Sequence, residues 1–353
     1  MDLLVLASTD AVGQNAVPLG VTLVFSGMLL GLILCLALEE VIHAKKSVIA
    51  GVFAIACLLL ANIFHLYQYV DHKFLVQLPP FDSAGGHMVE LPVYIPAIDW
   101  GVIALIFGAS LFIDITSKTG LFTWIAIKLT KASKGDPRKL LWFYGLMTVV
   151  FSAVLNNVAA MIIVGSLTGV SLRKLGRTNL MLGFLLIEGL LTNVGGLLTL
   201  ISSVPNIIIG NAAGISFATF FVKSAPFVVV STIATLLLGA KLFGIRKLAG
   251  AEEKAEAELL VNGFDENDGI ESNAFFWFGA AMLILFIVTI ATTSIMPVLQ
   301  DLGMSFVALA FAAIMLVPYK STVDKFYRAM DWDLLGFFAA LFVVINVMEH
   351  AEV

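Results

Sequence analysis

Apolar residues run in long blocks along the whole chain, and polar residues collect between them. The blocks cover 18–38, 47–70, 97–117, 140–155, 158–172, 180–201, 207–211, 225–245, 273–293, 303–318 and 333–353. A membrane helix needs about 20 apolar residues, whereas a barrel strand needs about 10 that alternate. The pattern therefore predicts helices throughout. Residues 121–134 differ: Trp124 and several lysines interrupt the apolar positions, which predicts an amphipathic helix lying on a membrane surface.

Two places break the pattern. The first is the stretch Thr192 to Gly210, where a long apolar span turns small and polar and contains Pro205. Lipid has no hydrogen-bond partner for a freed backbone group, so a break at 202–206 predicts a protein-enclosed cavity. Broken helices of this kind build the midplane sites of secondary transporters. The second is the segment 140–172, which carries Asn156 and Asn157 near its middle and lies between two basic clusters, Arg138/Lys139 and Arg173/Lys174/Arg177. Each arm is ~15 residues, about 23 Å of helix, against a core of about 30 Å. This favours a re-entrant hairpin with the asparagines at its tip over two short tilted spans.

Lys and Arg set the expected orientation. Lys45 and Lys46 follow the first span, which places the N-terminus outside and that loop in the cytoplasm. Loop 71–96 is rich in proline and acid and reads as external. The acidic stretch 248–272 reads as a solvated cytoplasmic linker between two halves. Four regions result: 1–96, N-terminal helices and external loop; 97–247, a first transport repeat; 248–272, the linker; and 273–353, the start of a second half. Ala97-Ile98-Asp99-Trp100-Gly101 matches Ala329-Met330-Asp331-Trp332-Asp333, and the two copies are expected to start from opposite sides of the membrane. That is the pattern of an inverted repeat. The second copy is followed by neither hairpin nor broken helix, so the expectation is a truncation after Val353.

Composition narrows the class. The 353 residues are 60% hydrophobic and 13% charged, with a mean hydropathy of +1.00; a soluble domain is about 25% charged. The chain reads as an integral membrane protein in contact with the lipid bilayer, in the inner membrane if the source is bacterial. The formal charge of −5 comes with no basic face, which argues against nucleic acid as a partner. Cys35 and Cys57 both lie in apolar runs and read as core thiols. No basic residue precedes Lys45, so the first span reads as a retained anchor, not a cleaved leader. No His-Glu-x-x-His, paired intramembrane aspartate or Ser/His pairing is visible, and an enzyme is not expected.

The motif Ser152-Ala153-Val154-Leu155-Asn156-Asn157-Val158-Ala159-Ala160 is followed by Asn193-Val194-Gly195-Gly196 and then Ser202-Ser203-Val204-Pro205-Asn206. This order resembles the ion transporter superfamily, the group of arsenite permeases, the P protein, citrate and dicarboxylate carriers and NhaD-type antiporters. The resemblance covers roughly residues 97–245 and implies an all-α inverted-repeat secondary transporter. It further implies that hairpin tip and broken helix form one substrate and cation site. The candidate ligands are Asn156, Asn157, Gly195, Gly196, Ser202, Ser203, Pro205 and Asn206, with Na⁺ held at Asn157. Asn156 stands where antiporter-like members often have Asp, and Val158 where dicarboxylate carriers have Thr. Physics allows the same site: helix starts offer free N–H groups to an anion, and helix ends offer carbonyls to a cation.

Glu188 and Asp114 are carboxylates inside apolar spans, where an acid is a functional candidate. Glu188 is the stronger proton-coupling candidate, and Asp114 is nearer a span end. The expected function is secondary transport of a small ion, such as arsenite, citrate or a dicarboxylate, coupled to Na⁺ or H⁺. The alternatives are a Na⁺/H⁺ antiporter of the same superfamily and a non-transporting remnant. No cofactor is expected, and a homodimer is common in families of this kind.

Overall fold

The computed structural model describes residues 17–66, 92, 94–155 and 157–353. Asn156 and nearly all of loop 71–96 lie outside the described residues. In chain order the helices are α1 (Leu19–Ala37), α2 (Glu39–Ile42), α3 (Lys46–Ile63), α4 (Trp100–Ser117), α5 (Leu121–Ser133), α6 (Pro137–Val154), α7 (Asn157–Lys174) and α8 (Met181–Gly196). They continue with α9 (Val204–Ala212), α10 (Phe217–Leu242), α11 (Ala251–Asn262), α12 (Asn273–Thr292), α13 (Pro297–Leu316), α14 (Asp324–Ala329) and α15 (Trp332–His350). Among the described residues there is no strand, and 8 helices are long and apolar enough to cross a bilayer. The protein is an all-α integral membrane protein.

The chain forms two compact units, one from Met1–Ile103 with Asp331–Val353, the other Ala104–Met330. In the first unit, α3 packs along α15. Ala50, Ala54, Cys57 and Ala61 recur at helical spacing on α3 and are all buried. Small residues on one face let two helix backbones approach closely. Val343, Val344, Val347 and Met348 of α15 fill the opposing side, with Phe25 and Leu32 of α1 in the same core. At the start of α3, Asp333 of α15 accepts the hydroxyl of Ser47 and lies 3.4 Å from its backbone nitrogen. An acid from one helix thus caps the positive end of another.

The two matching sequence segments begin their helices in the same way. Asp99 Oδ1 accepts the N–H of Val102 at 3.0 Å, and Asp331 Oδ1 accepts the N–H of Leu334 at 2.9 Å. In each case the aspartate lies immediately before a tryptophan that opens the helix.

The second unit is built around α6 and α8, which α7 and α10 flank. Asp136 caps α6 by accepting the N–H groups of Arg138 and Lys139, and Pro137 occupies the first turn, where its missing N–H costs nothing. The cap and the basic residues lengthen the hairpin arms. Each is 18 residues, about 27 Å, where the apolar runs alone suggest ~15. The break also lies earlier than its polar residues suggest. It occupies 197–203, and Pro205 is already in the first turn of α9. A proline there starts a helix rather than interrupting one.

The acidic stretch 248–272 departs from a simple solvated linker. It contains α11, whose Ala257 and Val261 are buried. Its carboxylates meet the cations of the hairpin base and α5: Glu253 pairs with Arg177, Glu258 with Lys134 at 3.1 Å, and Glu266 with Lys128 and with Lys131, the latter at 3.0 Å. Lys174 donates to the Gly263 carbonyl at 2.9 Å and stands 3.9 Å above the Phe264 ring. Opposite charges facing across a short gap, together with two apolar anchors, draw the stretch onto the helices.

Candidate functional site

Four helix ends meet in the second unit: the end of α6, the start of α7, the end of α8 and the start of α9. Helix ends carry backbone groups without intrahelical partners. Where those groups go decides what the site can hold.

The end of α8 is satisfied from α9. Asn206 lies in the first turn of α9 and is buried. Its Nδ2 donates to the Gly196 carbonyl at 2.8 Å and to the Thr199 carbonyl at 2.9 Å. Ser202 reaches the same two oxygens, at 2.8 Å and 3.2 Å. The one Ser202 hydrogen can serve either oxygen, so each carbonyl is held by Asn206 and one of them also by Ser202. The Asn206 amide thus occupies the carbonyl fork that a cation would otherwise use. Backbone bonds also consume much of the donor capacity at the start of α9. The Ser203 carbonyl accepts the N–H groups of Asn206 and Ile207 at 3.0 and 3.2 Å, and Pro205 has no N–H.

The hairpin tip is tied to the end of α8 and to the break. Ser152 Oγ lies 2.7 Å from Asn157 Oδ1 and 2.5 Å from the Thr192 carbonyl oxygen. Its one hydrogen can serve either acceptor. Asn157 Nδ2 donates to Asn193 Oδ1 at 3.2 Å. The Thr199 hydroxyl donates to the Ala153 carbonyl at the end of α6. Gly195 packs against the α6 backbone, where a Cβ would come within 2.5 Å of the Val149 carbonyl oxygen.

Asn157, Gly195, Gly196, Ser202 and Asn206 therefore share one cluster. Ser203 is half-buried at the end of the break, and Pro205 is exposed. Asn156 is outside the described residues. Asp114 pairs with Lys118, at 3.6 Å and just past the end of α4, as its place near a helix end suggests. The cluster also includes Ser152, Thr192, Asn193 and Thr199, which the sequence reading did not nominate. Their signal was a hydroxyl or amide residue in apolar sequence within about one turn of a helix end. Of the two asparagines on the open side, Asn193 is exposed and Asn157 half-buried.

Glu188 lies on α8, one turn before Thr192. It is fully buried, and Thr168 of α7 donates to its Oε1 at 2.6 Å.

A family profile described as "Citrate transporter" matches residues 41–353. The chain is 30% identical over 257 residues to an uncharacterized transporter of Mycobacterium bovis, covering 72% of this chain and 57% of the relative. It is 30% identical over 260 residues to a 46 kDa membrane protein of Mycobacterium leprae, with the same coverage of 72% and 57%. The P protein of Homo sapiens is 28% identical over 231 residues, covering 63% of this chain and 26% of that protein. The chain thus spans a little over half the length of the mycobacterial relatives it matches.

Proposed function

Because the chain belongs to the citrate transporter family, we propose that it is a secondary active transporter of a small carboxylate anion of the citrate class, working by alternating access around the cluster of helix ends. One observation carries this reading: the start of α7 and the end of α8 meet through Asn157, whose amide is bonded to Ser152 and Asn193. A side-chain amide offers both a donor and an acceptor. Asn157 and Asn193 can turn donors toward a carboxylate or oxygens toward a coupling cation. The buried Asn206 fork braces the broken helix beneath them. In this reading α6 and α7 form the re-entrant hairpin of a first repeat, and residues 248–272 face the cytoplasm.

Uptake of citrate, succinate, arsenite and Na⁺ by proteoliposomes, with and without a pH gradient, tests the proposal. Citrate uptake that is lost in Asn157→Ala and Asn193→Ala, with folded protein retained, is the expected result. Wild-type uptake by both variants would overturn the site assignment. Movement of Na⁺ in exchange for protons, without citrate, would favour an antiporter instead.

A further inference from the structure

Glu188 is a carboxylic acid with no exposed surface in a membrane-spanning helix. Thr168 satisfies one oxygen, at 2.6 Å. The other, Oε2, is buried and has no hydrogen-bond partner among the described residues. The carboxyl stands one helical turn from Thr192, whose carbonyl meets Ser152 at the hairpin tip. It therefore shares a helix face with the proposed substrate site. Across α7, Ser171 follows Thr168 by one turn and holds the Tyr144 hydroxyl of α6 at 2.7 Å. That hydroxyl also meets Thr130 of α5 at 2.5 Å.

We propose that Glu188, positioned by Thr168, is the proton-binding group of the transport cycle, loaded or emptied according to the state of the hairpin tip one turn away. This rests on the transport reading above and deepens it by naming the residue that carries the proton. The argument is chemical. A carboxylate with one free oxygen in an apolar interior has nothing to offset its charge, whereas the neutral carboxyl does not need a counter-ion. A sodium ion requires several oxygen ligands around it, and Oε2 has no polar partner there. The titratable group that α6 brings to this region is Tyr144, and its cations Arg138 and Lys139 are in its first turn. On α7 the cations Arg173 and Lys174 are in the last turn, and on α10 Lys241 is in the last turn and Lys223 in the second. The adjacent groups in mid-helix are hydroxyls, which relay a proton without retaining charge. In the proton step the carboxyl O–H bond breaks toward a water admitted on one side, giving carboxylate and hydronium. A proton taken from water on the other side restores the acid.

Two measurements on the full chain in lipid decide the matter. Infrared difference spectra of wild type minus Glu188→Gln should contain the carbonyl stretch of a protonated carboxyl at neutral pH, and Thr168→Val should shift it. In proteoliposomes, the ratio of pH-gradient-driven citrate uptake to citrate counterflow should fall about tenfold or more in Glu188→Gln. Glu188→Asp should restore part of the response at a displaced pH. A wild type lacking that infrared band, or an unchanged ratio in Glu188→Gln, overturns the proposal. If the wild type shows no citrate counterflow, the substrate reading fails, and the infrared result still decides Glu188.

Discussion

A Cβ on Gly196 would stand 2.7 Å from Oδ1 of Asn157. The end of the broken helix and the tip of the hairpin therefore meet with no room for a methyl group. The neighbouring Gly195 is tighter still, but its obstacle is the Val149 carbonyl oxygen, part of the α6 backbone.

The two glycines predict different phenotypes. An amide side chain can swing aside, so Gly196→Ala should fold and lose most citrate uptake as Asn157 is displaced. A backbone carbonyl cannot, so Gly195→Ala should reduce the yield of folded protein. Transport per folded molecule, with yield followed by size-exclusion chromatography, separates the two. Equal behaviour in both assays would count against the distinction.

Asn206 predicts a stability effect with an ion signature. Asn206→Leu removes donors from two carbonyls, of which the single Ser202 hydroxyl hydrogen can serve one, for a loss of about 1–3 kcal/mol. Asn206→Asp turns the donor into acceptors, leaving carboxylate and carbonyl oxygens facing one another. Na⁺ should then raise the melting temperature of Asn206→Asp more than that of the wild type. Thermal unfolding in detergent with NaCl against choline chloride checks this.

Asp333 acts as a cap supplied to α3 by another helix. Asp333→Ala should cost about 0.5–2 kcal/mol and expose the first turn of α3. Amide hydrogen exchange at 46–49 should accelerate, with little change at the middle of the same helix.

Glu266 carries a pH prediction. Its bonds to Lys128 and Lys131 hold its carboxyl below the ordinary value of 4.5. A carboxyl lowered by folding contributes stability above its unfolded value, and loses it as pH falls through the folded value. The stretch 262–270 should therefore lose protection, measured against the intrinsic exchange rate at each pH, on acidification below the ordinary carboxylate range, and at high salt even at neutral pH. Because Glu266 is solvent-facing, the effect should be small. Glu266→Gln should show faster exchange at neutral pH and a weaker response to acid.

Much of the helix pattern was readable because apolar runs and membrane helices share one length scale. The run 273–293 corresponds to α12 and the run 18–38 to α1, within a residue or two. What escaped the sequence reading was set by contacts between distant residues. The helix α11 has too few apolar positions to announce itself, and its place depends on Arg177 and Lys134 far away in sequence. Pro205 marked a break but not its position, since a proline is tolerated in a first helical turn. At the site, Asn157, Gly196 and Asn206 stood out as polar or small residues in apolar sequence. Ser152 and Thr199 did not, because a hydroxyl in an apolar run usually bonds its own local backbone, as Thr148 does to Tyr144. Only the fold shows which hydroxyls reach across.

The shared start of α4 and α15 has a consequence for how much sequence change each helix tolerates. An aspartate cap acts within a single turn on the backbone that follows it. It depends neither on neighbouring helices nor on which leaflet the helix enters first. A helix that carries Asp-Trp at its front brings its own starting signal, and its packing faces can change freely without the helix losing its first turn.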